Sequence, residues 1–453
     1  MMEAVLDPAT AYQHILGFGA SGCWWASNWR RLGIREELIA QAVDLLYHPT
    51  RGIGLNAYRH NVGAGSHGGK ILPMRETVSI EAPEGGFDLS LDGDAMAVLR
   101  RVMAYPQVDC LTLFFNSPPA RMTLTGEPNG NPSGETNLRE DCVQAYADYV
   151  ADAAQRFLQA GYPVTYVSPI NEPQWDWSAG LQEGSHFTVQ QALTICALTD
   201  QALMRKCPRV SLSVPESARW DHDFVYEFLD AAFNKNPFLR QIDHICCHAY
   251  NATPQERKRL RAYAEKLGRP ITFHQTEWCE EEKTGVSDME RALVLGKTLH
   301  DDLTLLNVSR WEFWKAVENV PGYEWRGLAI LPEQGTRIIV PKRTCVLGQY
   351  SRFVTHGVRI RCDLDGAPED VYASAYKKGD ALVCVVTNAS DSAHLLRFRQ
   401  RFTRCHAWRT SESLNLADIG DIPMPEGCLL PGQSVTTFYM HESFHQEGLN
   451  SFR

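Results

Sequence analysis

The chain has 453 residues, is 44% hydrophobic and carries a formal net charge of −10 from 44 basic and 54 acidic side chains. This composition supplies a large core and excludes wholesale disorder. Its acidic balance argues against a surface built to grip nucleic acid or an anionic membrane.

The opening MMEAVLDPAT has no basic segment followed by an apolar one, and no stretch nears ~18 uninterrupted apolar residues. A cytoplasmic protein without a membrane span is therefore expected. From about residue 15 to 350 short apolar runs alternate with amphipathic stretches, the signature of an α/β fold. The predicted strands are Ile15–Gly19, Ile53–Asn61, Cys110–Asn116, Val164–Ile170, Val210–Val214, Ile242–His248, Ile271–Thr276 and Val308–Trp314. Near-continuous runs such as ITF and IDHICC suit strands buried on both faces. Residues 117–135, rich in Pro, Gly, Asn and Thr, read as a long loop. A helix is expected from about Asn137 to Ala160, with Val143, Tyr146, Val150, Phe157 and Leu158 near helical period and Gly161 as its stop. Thr253-Pro254-Gln255-Glu256 and Ser287-Asp288-Met289-Glu290 have the capping-box pattern that starts a helix.

After about Phe353 the pattern turns to strands. Val371–Tyr376 and Ala381–Thr387 flank the turn KKGD as a hairpin, and GQSVTTFYM reads as a last strand. The expected organisation is a barrel over residues 15–352 and a β-domain over residues 353–453 plus about 1–14. The 13 cysteines are scattered and lack paired zinc-site spacing, which fits reduced, mostly buried thiols. Adjacent Cys246 and Cys247 should face opposite ways in their strand as packing residues.

Two glutamates stand at the C-terminal ends of predicted strands: Glu172 in INEP and Glu277 in TEW. Closing an eight-stranded α/β barrel gathers such ends around one cleft. Two carboxylates in one cleft can have their proton affinities pushed apart, one staying ionised while the other holds a proton, which is what glycoside hydrolysis needs. Tryptophan is the second signal. Trp24, Trp25, Trp175, Trp177, Trp220, Trp278, Trp311, Trp314 and Trp325 all lie in or just after barrel strands, and indole offers a flat apolar face for a sugar ring. Arg59, Asn116, Asn171, His248, Tyr250 and Gln275 add polar groups at the same strand ends. The glycines of GFGASG are discounted as a dinucleotide loop, because bulky Cys23-Trp24-Trp25 follows where a phosphate-binding helix would start.

Taken together, GFGASGCWWA, YRHNVGAGS, NSPPARM, SPINEPQW, CHAYN, HQTEW, RWEFWKAVEN and VLGQYSRFV resemble glycoside hydrolase family 30, in that family's order over residues 17–354. Within it, GFGASGCWWA and WKAVEN are similar to the endo-β-1,6-galactanase-like branch. The resemblance implies a (β/α)8 TIM barrel with a β-sandwich-like side domain, completed by an N-terminal strand around Glu3–Asp7. It implies double displacement with retention, Glu172 as acid/base and Glu277 as nucleophile. Asn171 is similar to the residue that bonds the sugar 2-hydroxyl. Arg59 and Tyr250 resemble residues that position the nucleophile, His248 a polar residue of the cleft, and Trp314 the floor beneath the sugar. Asn116, Trp25, Trp175 and Trp278 complete the expected substrate-binding set. Arg121, where many members carry an aromatic residue, either meets the aglycone side or a charged sugar or is a surface arginine. No metal or cofactor is expected, and the partner is a small carbohydrate. A non-catalytic sugar-binding barrel, a transglycosylase and a phosphorylase are the alternatives.

Overall fold

The structure is a computed structural model. It describes residues 1–221, 223–232, 242, 244–268, 270–281, 284–320, 322–332, 335–423 and 426–442. The chain divides into two compact units. It opens with strand β1 (Met2–His14), which belongs to a β-rich unit comprising residues 1–16, 284–300 and 341 onward. The other unit, residues 17–283 and 301–340, is the barrel.

The barrel strands are β2 (Gly17–Ser21), β3 (Ala57–Asn61), β4 (Cys110–Phe114), β5 (Val164–Ser168), the pair β6 (Ser211–Leu212) and β7 (Pro215–Ser217), β8 (His244–His248), β9 (Thr272–Glu277) and β10 (Val308–Phe313). They pair in parallel in the order β6-β5-β4-β3-β2-β10-β9-β8-β7. Each of the eight predicted strands overlaps one observed position. The fifth position is broken into two halves. Ser213 N bonds back to Val167 O at 2.8 Å, while Val214 O accepts from Cys246 N at 2.8 Å, so the break itself closes the ring. A short pair, β11 (Val317–Glu318) and β12 (Ala329–Ile330), follows β10.

Most barrel strands are buried along their whole length, as their apolar runs require. Gly19 exists because β2 and β3 touch: a Cβ there would stand 2.7 Å from Ala57 Cβ. The GFGASG glycines thus serve strand packing.

The helices of this unit are α1 (Trp25–Asn28), α2 (Glu36–Tyr47), α3 (Gly93–Val102), α4 (Val143–Gln159), α5 (Val189–Lys206), α6 (Asp223–Asp230) and α7 (Pro254–Lys266). Helix α7 starts at the expected capping box, with Thr253 Oγ1 accepting from Glu256 N at 3.3 Å and Pro254 in the first turn. Helix α4 begins later than expected. Asn137 donates its amide to Thr125 Oγ1 (3.0 Å) and Glu127 O (2.8 Å), so it secures the loop instead of opening the helix. Gly161 follows α4 at φ 89°, the left-handed conformation that ends a helix.

The β-rich unit holds helices α8 (Asp288–Asp301, its last residue in the barrel unit) and α9 (Lys342–Val354). Its strands are β13 (Val358–Asp365), β14 (Val371–Lys378), β15 (Ala381–Asn388), β16 (His394–Phe398), β17 (Phe402–Thr410), β18 (Ala417–Asp421), β19 (Cys428–Leu430) and β20 (Ser434–Glu442). They form one sheet ordered β18-β17-β20-β15-β14-β13-β1-β16-β19. The N-terminal strand is therefore integral, antiparallel to β13 and parallel to β16. The KKGD turn joins β14 to β15 through Gly379 at φ 58°. Alternate residues Met2, Ala4 and Leu6, Leu382, Cys384 and Val386, and Phe438 and Met440 share one core. On the helix side Thr437 Oγ1 donates to Gln349 O of α9 at 2.8 Å. The 13 cysteines are all free thiols, and all but Cys142 and Cys362 are buried. No helix among the described residues is long and apolar enough to cross a membrane.

Candidate active site

Glu172 and Glu277 meet at the C-terminal ends of β5 and β9. Glu172 sits on left-handed backbone at φ 45°, and its N–H donates to Glu216 O at 2.8 Å. Its carbonyl accepts from Trp175 N (2.9 Å) and Trp177 Nε1 (3.3 Å), which ties the turn that carries it to two indoles. Glu277 is held from both sides. Arg59 Nη1 donates to Oε2 at 2.6 Å, and the Tyr250 hydroxyl donates to Oε1 at 3.1 Å. The second branch of Arg59 donates from Nη2 to Asn171 Oδ1 at 2.9 Å, and the guanidinium lies 3.8 Å over the Phe114 ring.

His248 occupies the centre. Nδ1 is 2.9 Å from Glu172 Oε1 and 3.8 Å from Glu277 Oε1, while Nε2 is 3.1 Å from Glu216 Oε2. Burial pulls the imidazole toward its neutral form, but Glu277, Glu172 and Glu216 outweigh it and push it up to about 9. Its carboxylate partners thus favour the imidazolium. Burial raises Glu277 above the ordinary carboxylate range; His248 and Arg59 oppose the rise, and Glu172 adds to it. Glu216, although fully buried, is held below that range by Arg59, His248 and Ser213. Three carboxylates against two cations leave one excess negative charge, so the constellation favours one added proton.

These carboxylates open into a cleft of about 470 Å³ lined by Trp24, Arg75, Glu172, Trp175, Trp177, Gln182, Tyr250, Glu277, Cys279, Glu280, Glu281, Trp314 and Arg326. Of the expected residues, Glu172, Glu277, Tyr250, Trp175 and Trp314 line it. Arg59, Asn171 and His248 stand behind the glutamates. Others lie elsewhere. Asn116 is buried, its amide 3.7 Å from Cys23 Sγ. Trp25 is buried and donates to Ser21 O at 3.1 Å; its neighbour Trp24 faces the cleft instead, edge-on to Trp314 at 5.1 Å. Trp278 follows Glu277 on the alternating strand, so it points away and packs on Trp311 and Phe313. Trp220 and Trp311 are core residues, and the side chain of Trp325 lies outside the described residues. Arg121 does not line the cleft either. Its guanidinium pairs with Glu81 beside Tyr149 in a separate surface cavity against α4, where the carboxylate already satisfies it.

Arg75, Arg326, Cys279 and Glu216 went unread in the sequence, and Trp24, named there among the barrel tryptophans, was not in the expected substrate-binding set. Glu216 is a strand-end carboxylate, the same signal that marks Glu172 and Glu277. Two clusters among the described residues could hold a cation: Glu172, His248 and Glu277, and His244, Cys246 and His274. In the first, His248 Nδ1 already bonds Glu172, and Arg59 already supplies positive charge to Glu277. In the second, Arg310 acts electrostatically on His274 and opposes a further cation.

A (β/α)8 barrel whose strand ends bring two glutamates into a tryptophan-walled cleft defines a glycoside hydrolase. The chain belongs to O-glycosyl hydrolase family 30, whose family model matches residues 1–326. Among curated relatives it is 24% identical over 333 residues to the glucuronoxylanase XynC of Bacillus subtilis, covering 71% of each chain. Among solved structures it resembles a conserved exported protein from Bacteroides fragilis (TM-score 0.85, 23% identity, 96% of this chain and 100% of that one). It also resembles a family 30 subfamily 8 xylanase from Clostridium acetobutylicum (TM-score 0.74, 22% identity, 97% and 99%). At these identities the structural matches speak for the fold.

Proposed function

We propose that the protein is a retaining β-glycosidase in which Glu277 is the nucleophile and Glu172 the acid/base. The observation that carries this reading is the spacing of the pair: an oxygen of Glu172 and one of Glu277 lie within 4.8 Å of each other. So close an approach of two oxygens fits carboxyl groups ~5–5.5 Å apart, the separation of retaining enzymes. Glu277 also receives two donors, from Arg59 and Tyr250, which hold it in place and oppose the rise that burial gives it, whereas Glu172 meets His248 Nδ1.

In the first step a Glu277 oxygen bonds to the anomeric carbon while Glu172 gives its proton to the departing glycosidic oxygen. In the second, Glu172 takes a proton from water, and the resulting hydroxide displaces Glu277. Arg59 holds the Asn171 carbonyl oxygen, which leaves the Asn171 NH2 as the group to meet a sugar hydroxyl. Trp314 and Trp24 offer apolar faces to the ring.

The substrate class in this reading is a short β-linked oligosaccharide, with β-1,6-galactan fragments and exo-cleaved β-glycosides first to be tried. A second possibility has its own observation. Arg75 and Arg326 both line the cleft, and each guanidinium can take a carboxylate, so a uronate-bearing chain belongs in the same trial. Thirteen free thiols suit work in a reducing compartment. The test is a panel of aryl β-glycosides (galactoside, glucoside, xyloside, fucoside, glucuronide) together with β-1,6-galactan and glucuronoxylan oligosaccharides. Products are followed by NMR from the first turnovers. The β-anomer as first product supports the reading; the α-anomer, or binding without turnover, overturns it.

A further inference from the structure

Glu216 is more deeply placed than either proposed catalytic glutamate and has more partners. It is fully buried at φ 54°, just after the seam that closes the barrel. Oε1 accepts from Ser213 Oγ at 2.5 Å. Oε2 accepts from Thr276 Oγ1 at 2.5 Å, from His248 Nε2 at 3.1 Å and from Arg59 Nη2 at 3.5 Å. Its backbone carbonyl also takes the N–H of Glu172. The thiols of Cys246 and Cys247 and the buried carboxyl of Glu312 are its other titratable neighbours.

An ionised carboxylate can only accept, so His248 must present Nε2 to Glu216 as N–H. That leaves Nδ1 as the one imidazole nitrogen whose proton can come and go, and Nδ1 is the atom that faces Glu172. Among the described residues the groups that face the ring are Glu172 from the end of β5, Glu216 from β7, Glu277 from β9, Arg59 bridging the last two from β3, and Tyr250 beyond the end of β8.

We infer that Glu216 is a positioning residue for the acid/base: acting through His248, it fixes the imidazole so that a single mobile proton is shared between Nδ1 and Glu172. This rests on the reading of Glu172 as acid/base. Removing the negative charge at Glu216 lowers the proton affinity of the His248–Glu172 pair as a whole. The alkaline limb of the pH–rate profile then moves to lower pH, by about one unit or more for an opposite charge at this range. Loss of a well-held proton also hurts substrates that need acid assistance more than those that do not.

The experiment uses the full chain and the aryl β-glycoside hydrolysed fastest in the panel, as its dinitrophenyl and its methyl derivative. Glu216→Gln is expected to shift the alkaline limb of kcat/KM downward and to slow the methyl glycoside at least tenfold more than the dinitrophenyl one. Glu216→Asp, which keeps the charge, is expected to restore the limb even where the rate stays low. In a His248→Gln background the Glu216→Gln shift should vanish. Equal slowing of both substrates with unmoved limbs in Glu216→Gln and Glu216→Asp would mean scaffolding alone and overturn the inference. Should Glu216→Gln fail to fold, 15N NMR of imidazole-labelled native enzyme decides. A His248 Nε2–H that persists while Nδ1 titrates above pH 8 supports the inference, and titration below pH 6.5 refutes it. Glu172→Ala separates the two readings. If it shows no leaving-group dependence, the acid/base assignment itself has failed; if it does and Glu216→Gln leaves the limb in place, only the role of Glu216 has failed.

Discussion

Arg59 and Glu277 form a buried ion pair across the barrel, Nη1 to Oε2 at 2.6 Å, with the guanidinium fully enclosed and the carboxylate nearly so. The same guanidinium holds Asn171, so one cation sets both the charge of the proposed nucleophile and the orientation of its neighbour. Replacing Arg59 by Met removes the cation and leaves two buried carboxylates, Glu277 and Glu216, short of a partner. The expected stability loss is about 3–5 kcal/mol, read from chemical denaturation. Arg59→Lys keeps the charge but not the fork. Its Glu277 should be harder to ionise, so the acid limb of kcat/KM moves to higher pH; an unmoved limb would show that Arg59 does not tune this carboxylate.

Glu277→Gln should be without measurable turnover while still binding substrate. Glu277→Gly should recover part of its rate in sodium azide or formate, with an α-configured adduct as product. Full activity in Glu277→Gln would remove this residue from the nucleophile role.

The two cleft tryptophans differ in depth and should respond differently. Trp175 is 53% exposed, so Trp175→Ala should raise KM several-fold with little change in stability. Trp314 is buried against Trp24 and Phe114, and Trp314→Ala should cost about 3–5 kcal/mol of stability as well as substrate affinity. Isothermal titration with an unhydrolysed analogue and thermal melts separate the two effects.

Glu183 carries a pH dependence unrelated to catalysis. One oxygen accepts from Ala64 N at 2.9 Å and from the Thr77 hydroxyl, while Oε2 is buried with no hydrogen-bond partner among the described residues. Burial raises its carboxyl from 4.5 to about 7 against those hydrogen bonds. The folded state therefore keeps a proton that the unfolded state releases. The contribution to stability is complete below pH 4.5 and is lost as pH rises through 7, on the order of 3 kcal/mol. Asp92, raised to about 6 by burial, acts in the same sense. Glu183→Gln should flatten this slope and raise the melting temperature at pH 8. An unchanged slope would place the proton elsewhere.

The barrel was legible because strands buried on both faces leave long apolar runs, and Glu172 and Glu277 stand just past the ends of two of them. That is why Glu172 and Glu277 could be read directly. Glu216 was missed because the fifth strand breaks at Ser213 and Val214, so the predicted strand stops two residues short of it. Trp24 and Trp25 are adjacent in a turn, where neither strand nor helix period says which ring faces the cleft. Trp278 illustrates the opposite case: the strand alternation that aims Glu277 inward also turns the next side chain to the core. The charged lining, Arg75 and Arg326, comes from loops after β3 and β10, whose course no local pattern records.

Ser213 has two attachments, one knitting the barrel shut through Val167 and the other feeding its hydroxyl to Glu216. The closing seam and the charge network are thus one mechanical element. Loosening of the ring at this seam would free Glu216, and with it the backbone carbonyl that holds Glu172, so inactivation is expected to run ahead of melting.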